Sequence, residues 1–144
     1  ENGYTIAWGS DVSEKGFTRN GIAVVPVEKA KVTAGSDQEK WVGKSADQPK
    51  EEVKAELPEE LTITQEMRQD GYDRKTTTDD HGMHIYGLAK DQNGTKYYMI
   101  KNSWGEFGDY KGHNYISESY VKYKTMNILV NKAAVPAHIL NKLK

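Results

Sequence analysis

Acyl transfer to a side-chain nucleophile needs a base, and the base needs a group that holds its ring in one tautomer. His81 and Asn102 offer that combination. An asparagine amide oxygen can take a hydrogen bond from one imidazole nitrogen, which leaves the other free to receive a proton from a nucleophile. Trp104, just beyond the asparagine, can cover such a pair, exclude water and so strengthen the bond. A histidine at a strand end can equally be a packed or solvated residue, and spacing alone leaves both open.

Other chemistries fit less well. The chain has no cysteine, so it cannot supply a thiol nucleophile, a disulfide or a thiolate metal site. Ser10 follows a strand candidate but lacks the G-x-S-x-G elbow that presents a serine nucleophile. His81 and His84 are three apart, which on a strand points them to opposite faces. There is no His-Glu-x-x-His pattern, and Asp79 and Asp80 fall on a loop, so no metal site and no cofactor is expected. His84 is expected to pack or hydrogen-bond on a sheet, and His113 and His138 to be structural or exposed. Asp79 and Asp80, just before the base, are candidates to border a substrate cleft.

The elements that must position the pair are legible around it. His81 to Leu88 is a strand candidate, Asp91-Gln92-Asn93-Gly94 a hairpin turn, and Thr95 to Lys101 the return strand. In an antiparallel hairpin the start of the first strand lies beside the end of the second. Counting outwards from the turn brings His81 and Asn102 within reach of each other.

Further out, Tyr4 to Trp8 reads as a short strand punctuated by Gly9-Ser10-Asp11, and Ile22 to Val25 as a strand or core-lining loop stopped by Pro26. Thr62 to Tyr72 reads as a helix capped by Thr64 and ended by Gly71. Asn114 to Ser117 and Met126 to Val130 are strands, Ser119 to Lys124 a turn of helix, and Pro136 to Leu143 a terminal helix. Tyr86, Tyr97, Tyr98 and Tyr115 read as sheet packing. Glu28 to Glu60 is a polar excursion or insertion, with a helical turn expected at Pro49 to Lys54. Trp41 is expected to pin that excursion to the domain, or to anchor a partner.

Composition sets the bounds. At 144 residues the chain suits one domain, and 36% hydrophobic residues suit a modest core with generous loops. Nine tyrosines against two phenylalanines suit a sheet with one wet face, because tyrosine buries its ring while its hydroxyl stays solvated. A formal net charge of -1 gives no electrostatic case for nucleic acid or an anionic membrane. No apolar run approaches the roughly 20 residues that span a bilayer. The opening Glu1-Asn2-Gly3-Tyr4 has no initiator Met and runs at once into strand-like sequence, which is expected of a piece of a longer chain.

Two motifs carry a resemblance. Asp80-His81-Gly82-Met83-His84-Ile85-Tyr86-Gly87 resembles the histidine box of papain-like cysteine peptidases. Lys101-Asn102-Ser103-Trp104-Gly105, then Gly108 and Lys111-Gly112, resembles their asparagine box. The resemblance implies His81 as general base and later acid, Asn102 as its orienter and Trp104 as the shield over both. Trp8-Gly9-Ser10-Asp11-Val12 and Val130-Asn131-Lys132-Ala133-Ala134-Val135-Pro136 resemble segments of the bleomycin hydrolase and bacterial aminopeptidase C subfamily.

The implied fold is α+β, and this chain corresponds mainly to its antiparallel-sheet half, the C-terminal part of the peptidase domain over 1–144. The implied function is hydrolysis of peptide bonds through a Cys-His-Asn site. The cysteine, at a helix N-terminus, and the oxyanion-hole glutamine would lie on a missing segment or a separate N-terminal chain. On that basis this chain alone is inactive, and its partners are a peptide or protein substrate, the Cys-bearing partner and a homo-oligomer. Subfamily members run their C-terminus into the cleft, which implies aminopeptidase action. This sequence stops at Lys144, soon after Pro136, so endopeptidase action is the alternative. The rival function is a catalytically inactive peptidase-like binding or structural domain.

Overall fold

The computed structural model describes residues 3–27 and 57–143. Its elements run β1 (Ile6–Ser10), β2 (Ile22–Ala23), α1 (Gln65–Asp73), β3 (His81–Lys90), β4 (Lys96–Lys101), β5 (His113–Ser117), α2 (Glu118–Lys124), β6 (Thr125–Val130), a 3-10 turn at Lys132–Ala134 and α3 (Ala137–Leu140). The strands form one six-stranded sheet in the order β2-β5-β4-β3-β1-β6. All neighbours are antiparallel except β2 and β5, which run parallel and make the sheet mixed.

The sheet's two faces follow from strand periodicity. On β3, Met83 and Ile85 turn to the core while Gly82, His84 and Tyr86 turn out. Cross-strand partners share a face, so Ile6 and Trp8 on β1 join Ile85 and Met83, and Ile100 on β4 joins them from the other side. Ala23, Val25, Ile116 and Tyr120 complete the buried cluster. Ile100 and Ile116 are fully buried, each contributing on the order of 2 kcal/mol of apolar transfer. Trp8 Nε1 donates to Thr125 Oγ1 at 2.7 Å, and the Tyr120 hydroxyl donates to the Asp11 carbonyl at 2.8 Å, so both large aromatics keep their polar ends satisfied.

Several boundaries differ from the sequence expectations, each for a local reason. β1 does not stop at Trp8 but continues to Ser10, because Gly9 and Ser10 keep partners on both sides, in β3 and β6. Thr64 caps α1 as expected, its hydroxyl accepting from Met67 N at 3.2 Å. Gly71 does not end that helix. It runs on to Asp73, and the left-handed residue that turns the chain is Lys75, at φ 58°. Ser117 caps α2 by accepting from Tyr120 N at 3.1 Å. The terminal helix is one turn, Ala137–Leu140.

Trp41 and the helical turn expected at Pro49 to Lys54 lie outside the described residues. On either side of that stretch the chain is pinned together. Val27 N donates to the Glu59 carbonyl at 2.8 Å, Leu61 N donates to the Val25 carbonyl at 2.9 Å, and the Glu60 carboxylate accepts from Val25 N at 2.8 Å.

Candidate functional site

The β3–β4 hairpin aligns Lys90 with Lys96 near its turn and Leu88 with Tyr98 further along. Continued unchanged, that register would set Asn102 opposite His84, on the open face, while His81 faced the core. A β-bulge between Ile85 and Gly87 prevents this. Tyr86 is the extra residue, and beyond it Ile85 pairs with Ile100 and His84 with Lys101. A one-residue slip exchanges the faces of everything past it. Asn102 therefore arrives on the face of His81, diagonal to it, at a separation long side chains can bridge.

They do bridge it. His81 Nε2 lies 2.8 Å from Asn102 Oδ1. Ser103 N–H donates to the same asparagine atom at 2.7 Å, which identifies that atom as the oxygen. His81 Nε2 is then the protonated nitrogen, and Nδ1 is the basic atom of the neutral ring. Asn102 is buried, 3% exposed, and its own N–H donates to the Gly112 carbonyl at 3.1 Å. The loop that offers this carbonyl is tight. Gly112 N donates to Phe107 O at 2.8 Å, and Gly112 has φ 78°. A Cβ there would meet the Gly105 carbonyl oxygen at 2.0 Å.

Trp104 lies over the imidazole, with ring centroids 4.6 Å apart and planes tilted by 35°. Phe17 meets Trp104 edge-on at 6.2 Å, and Phe107 lies 5.4 Å from it on the loop. These rings hold Trp104 in place while 48% of it stays exposed. Neither phenylalanine was singled out from the sequence. Phe17 comes from a segment far away in the chain, and nothing in its neighbours points to Trp104.

Beside the pair, the open face of the sheet forms a concavity of about 550 Å³ whose walls include Gly82, His84, Lys101, Ser103 and Leu129. Asp79 lines it too, its carboxylate accepting from Asn127 Nδ2 at 2.6 Å. Asp80 does not line it. Its carboxylate takes the Val12 N–H at 2.9 Å and ties the approach loop to the end of β1.

The remaining candidates fall away from the site. Ser10 pairs with His81 across the strands but is fully buried, its hydroxyl donating to the Lys124 carbonyl at 3.0 Å, so it cannot meet a substrate. His84 faces out, opposite to His81, and is exposed rather than packed. His113 Nδ1 lies 2.9 Å from the Tyr86 hydroxyl, and His138 is exposed on α3. Among the described residues no group of three His, Asp or Glu could hold a metal ion. Nor, among the described residues, is any helix long and apolar enough to cross a membrane.

The titration of nearby groups follows burial. Tyr97 is pushed up to about 12 by burial, with the Asp91 and Glu60 carboxylates adding to it. Burial also pushes Tyr120 far up. For Asp11, burial alone would raise the carboxyl, but hydrogen bonds from Ser13 and Thr78 and the Lys124 ammonium outweigh it and hold it below its ordinary value.

Among solved structures, PepW from Lactobacillus rhamnosis HN001 matches with a TM-score of 0.57 at 18% identity, over 95% of this chain and 25% of that one. The bromelain protease from Ananas comosus, solved in complex with the E64 inhibitor, matches with a TM-score of 0.41 at 15% identity, over 88% of this chain and 40% of that one. This chain thus spans about a quarter of the length of the PepW structure. No curated protein matches it. The model of the Peptidase C1-like family matches residues 54–144, which hold both His81 and Asn102. With an α+β papain-like fold, a hydrogen-bonded His81–Asn102 pair and no cysteine, this chain belongs to the Peptidase C1-like family.

Proposed function

We propose that the chain is the C-terminal part of a thiol peptidase, and that it supplies the base and its orienter while the nucleophilic cysteine lies on a segment or chain outside it. The observation that carries this is the 2.8 Å contact between His81 Nε2 and Asn102 Oδ1, which leaves Nδ1 as the basic atom. Among the described residues Nδ1 has no hydrogen-bond partner, and His81 is only partly buried. A thiol placed at Nδ1 would pass its proton to His81, and the thiolate would attack the substrate carbonyl carbon. As the tetrahedral adduct collapses, His81 returns the proton to the leaving amine and a thioester remains. His81 then takes a proton from water, whose oxygen attacks the thioester, and the acid product leaves with the thiol restored. Asn102 holds the ring and its tautomer throughout. Trp104 keeps water from one face of the imidazole, which strengthens the bond beneath it.

The subfamily is proposed as that of bleomycin hydrolase and aminopeptidase C. Of the two segments that carry this resemblance, 8–12 begins with the β1 residues that pair with 125–128 on β6, and 130–136 begins at the last residue of β6, opposite Ile6.

The test is the mass of material from the native source under native and denaturing conditions, with a thiol-reactive peptide probe. A second, cysteine-bearing chain or segment that takes the probe, in an assembly that hydrolyses peptides and loses this with His81→Ala, is the expected result. A species of this chain alone, with no thiol and no hydrolysis, would overturn it and leave an inactive peptidase-like binding domain.

A further inference from the structure

Asn114 sits on β5 directly across from Ile100. Asn102 comes two residues after Ile100, so Asn114 and Asn102 share the core face as diagonal neighbours, positions typically about 7–8 Å apart. Asn114 is 1% exposed, in the same layer as the fully buried Ile100 and Ile116. An amide is a poor choice for such a place, where an aliphatic side chain would pack without polar cost. Both its amide atoms lack a hydrogen-bond partner, and so does Asn102 Nδ2. The buried side-chain nitrogen and oxygen atoms without partners among the described residues are thus confined to these two side chains.

Their chemistry is complementary. Asn102 Oδ1 already takes two hydrogen bonds, from His81 and Ser103, so its Nδ2 is the side of the amide that nothing holds. Asn114 Oδ1 is an acceptor on the same face. We propose that Asn114 is a positioning residue, accepting from Asn102 Nδ2 through one bridging water and so fixing the plane of the amide that orients His81. Held on both sides, the Asn102 amide cannot rock about its last torsion, and the direction of the His81 ring is set with it. This rests on the assignment of Asn102 as the orienter of His81, but its test needs no turnover.

The test is nitrogen-15 NMR of the His81 Nε2 proton in the 144-residue chain, read beside the unfolding midpoint. In the wild type the proton should be protected from exchange with water. Asn114→Leu, close in size and without polar atoms, should keep or raise the midpoint, since it removes a buried amide. It should nevertheless speed Nε2–H exchange by about tenfold, the scale of one lost hydrogen bond. Asn114→Ala should do the same, and Asn114→Ser, whose hydroxyl can accept, should restore protection. Unchanged exchange in the folded Leu and Ala variants would overturn the role of Asn114 while leaving the peptidase assignment intact. So would equal exchange in the Ala and Ser variants. A wild-type chain with no protected Nε2 proton would remove the His81–Asn102 pairing itself, and both assignments would fall.

Discussion

At its turn the β3–β4 hairpin is held by its own residues. Asp91 Oδ1 accepts from Asn93 N at 2.8 Å and from Thr95 N at 2.9 Å, and Asp91 N donates to Thr95 O at 3.1 Å. At its open end the same hairpin is held by the rest of the molecule. Ser10 pairs with His81 from β1, Gly112 accepts from Asn102 N across a loop, and Trp104, braced by Phe17 and Phe107, lies over the imidazole. A local turn needs only the right residue types in order, and a change there stays local. A site built from four separate segments needs each one in place, and that is where small errors cost chemistry.

The largest effects should therefore be at the open end. In the complete peptidase proposed above, His81→Ala should lower kcat/KM by roughly 10³-fold, the scale of general acid–base help. Asn102→Ala should lower it by roughly 10²-fold, with the base kept but its tautomer and direction loosened. Asn93→Ala at the turn serves as the control and should leave kcat/KM within about twofold. Peptide hydrolysis by the three variants reads this directly, and a turn variant as damaging as Asn102→Ala would erase the contrast.

Deleting Tyr86 tests what joins the two ends. The deletion makes Gly87 follow Ile85, so the pairs Gly87–Met99 and Ile85–Ile100 become consecutive and Asn102 stays on the face of His81. The expected result is a protected His81 Nε2 proton, with hydrolysis well above the level of His81→Ala and the turn resonances unmoved. Loss of that proton would mean that the extra twist of the bulge, and not the register alone, aims His81 at Asn102.

How much of this was legible in sequence follows the same division. The turn at Asp91 to Gly94 was readable because its chemistry is contained within it. The His81–Asn102 pairing was readable from motif contexts, and the expected contact is present. The bulge at Tyr86 was not, because Tyr86-Gly87 looks like any outward tyrosine followed by a glycine, and the extra residue shows only against the partner strand. Simple counting from the turn puts the two residues near each other, but it does not put them on one face. The parallel pairing of β2 with β5, the aromatic brace at Phe17 and the neighbouring buried amides at Asn102 and Asn114 all depend on which strands lie side by side, which leaves no periodicity behind.

Two glycines sharpen the contrast in stability. Gly112 at the site loop has no room for a side chain and φ 78°, so Gly112→Ala should cost about 3 kcal/mol and shift the Asn102 N–H that bonds its carbonyl. Chemical denaturation followed by backbone amide exchange measures both.

The core gives a smaller and pH-dependent effect. The Tyr97 phenol, ordinarily near 10.0, is pushed up to about 12 by burial, so the folded state favours its neutral form. The stability this contributes is fully present below pH 10 and is lost as pH rises from there towards 12. The unfolding midpoint should fall across that window, more gently in Tyr97→Phe, which has no proton to lose. Equal slopes in the two proteins would assign the alkaline loss to other groups, Tyr120 first among them.

Gly94→Ala at the turn should give the smallest effect. Gly94 also has a positive φ, 83°, but a Cβ there would meet nothing within 4 Å. The cost is then only that of holding an L-residue in the left-handed region, about 1 kcal/mol. The Asp91 hydrogen bonds should persist, and the exchange rate of the His81 Nε2 proton should be unchanged. If that proton does respond, strain at the turn reaches the open end along ten residues of β3, and the two ends of the hairpin act as one unit.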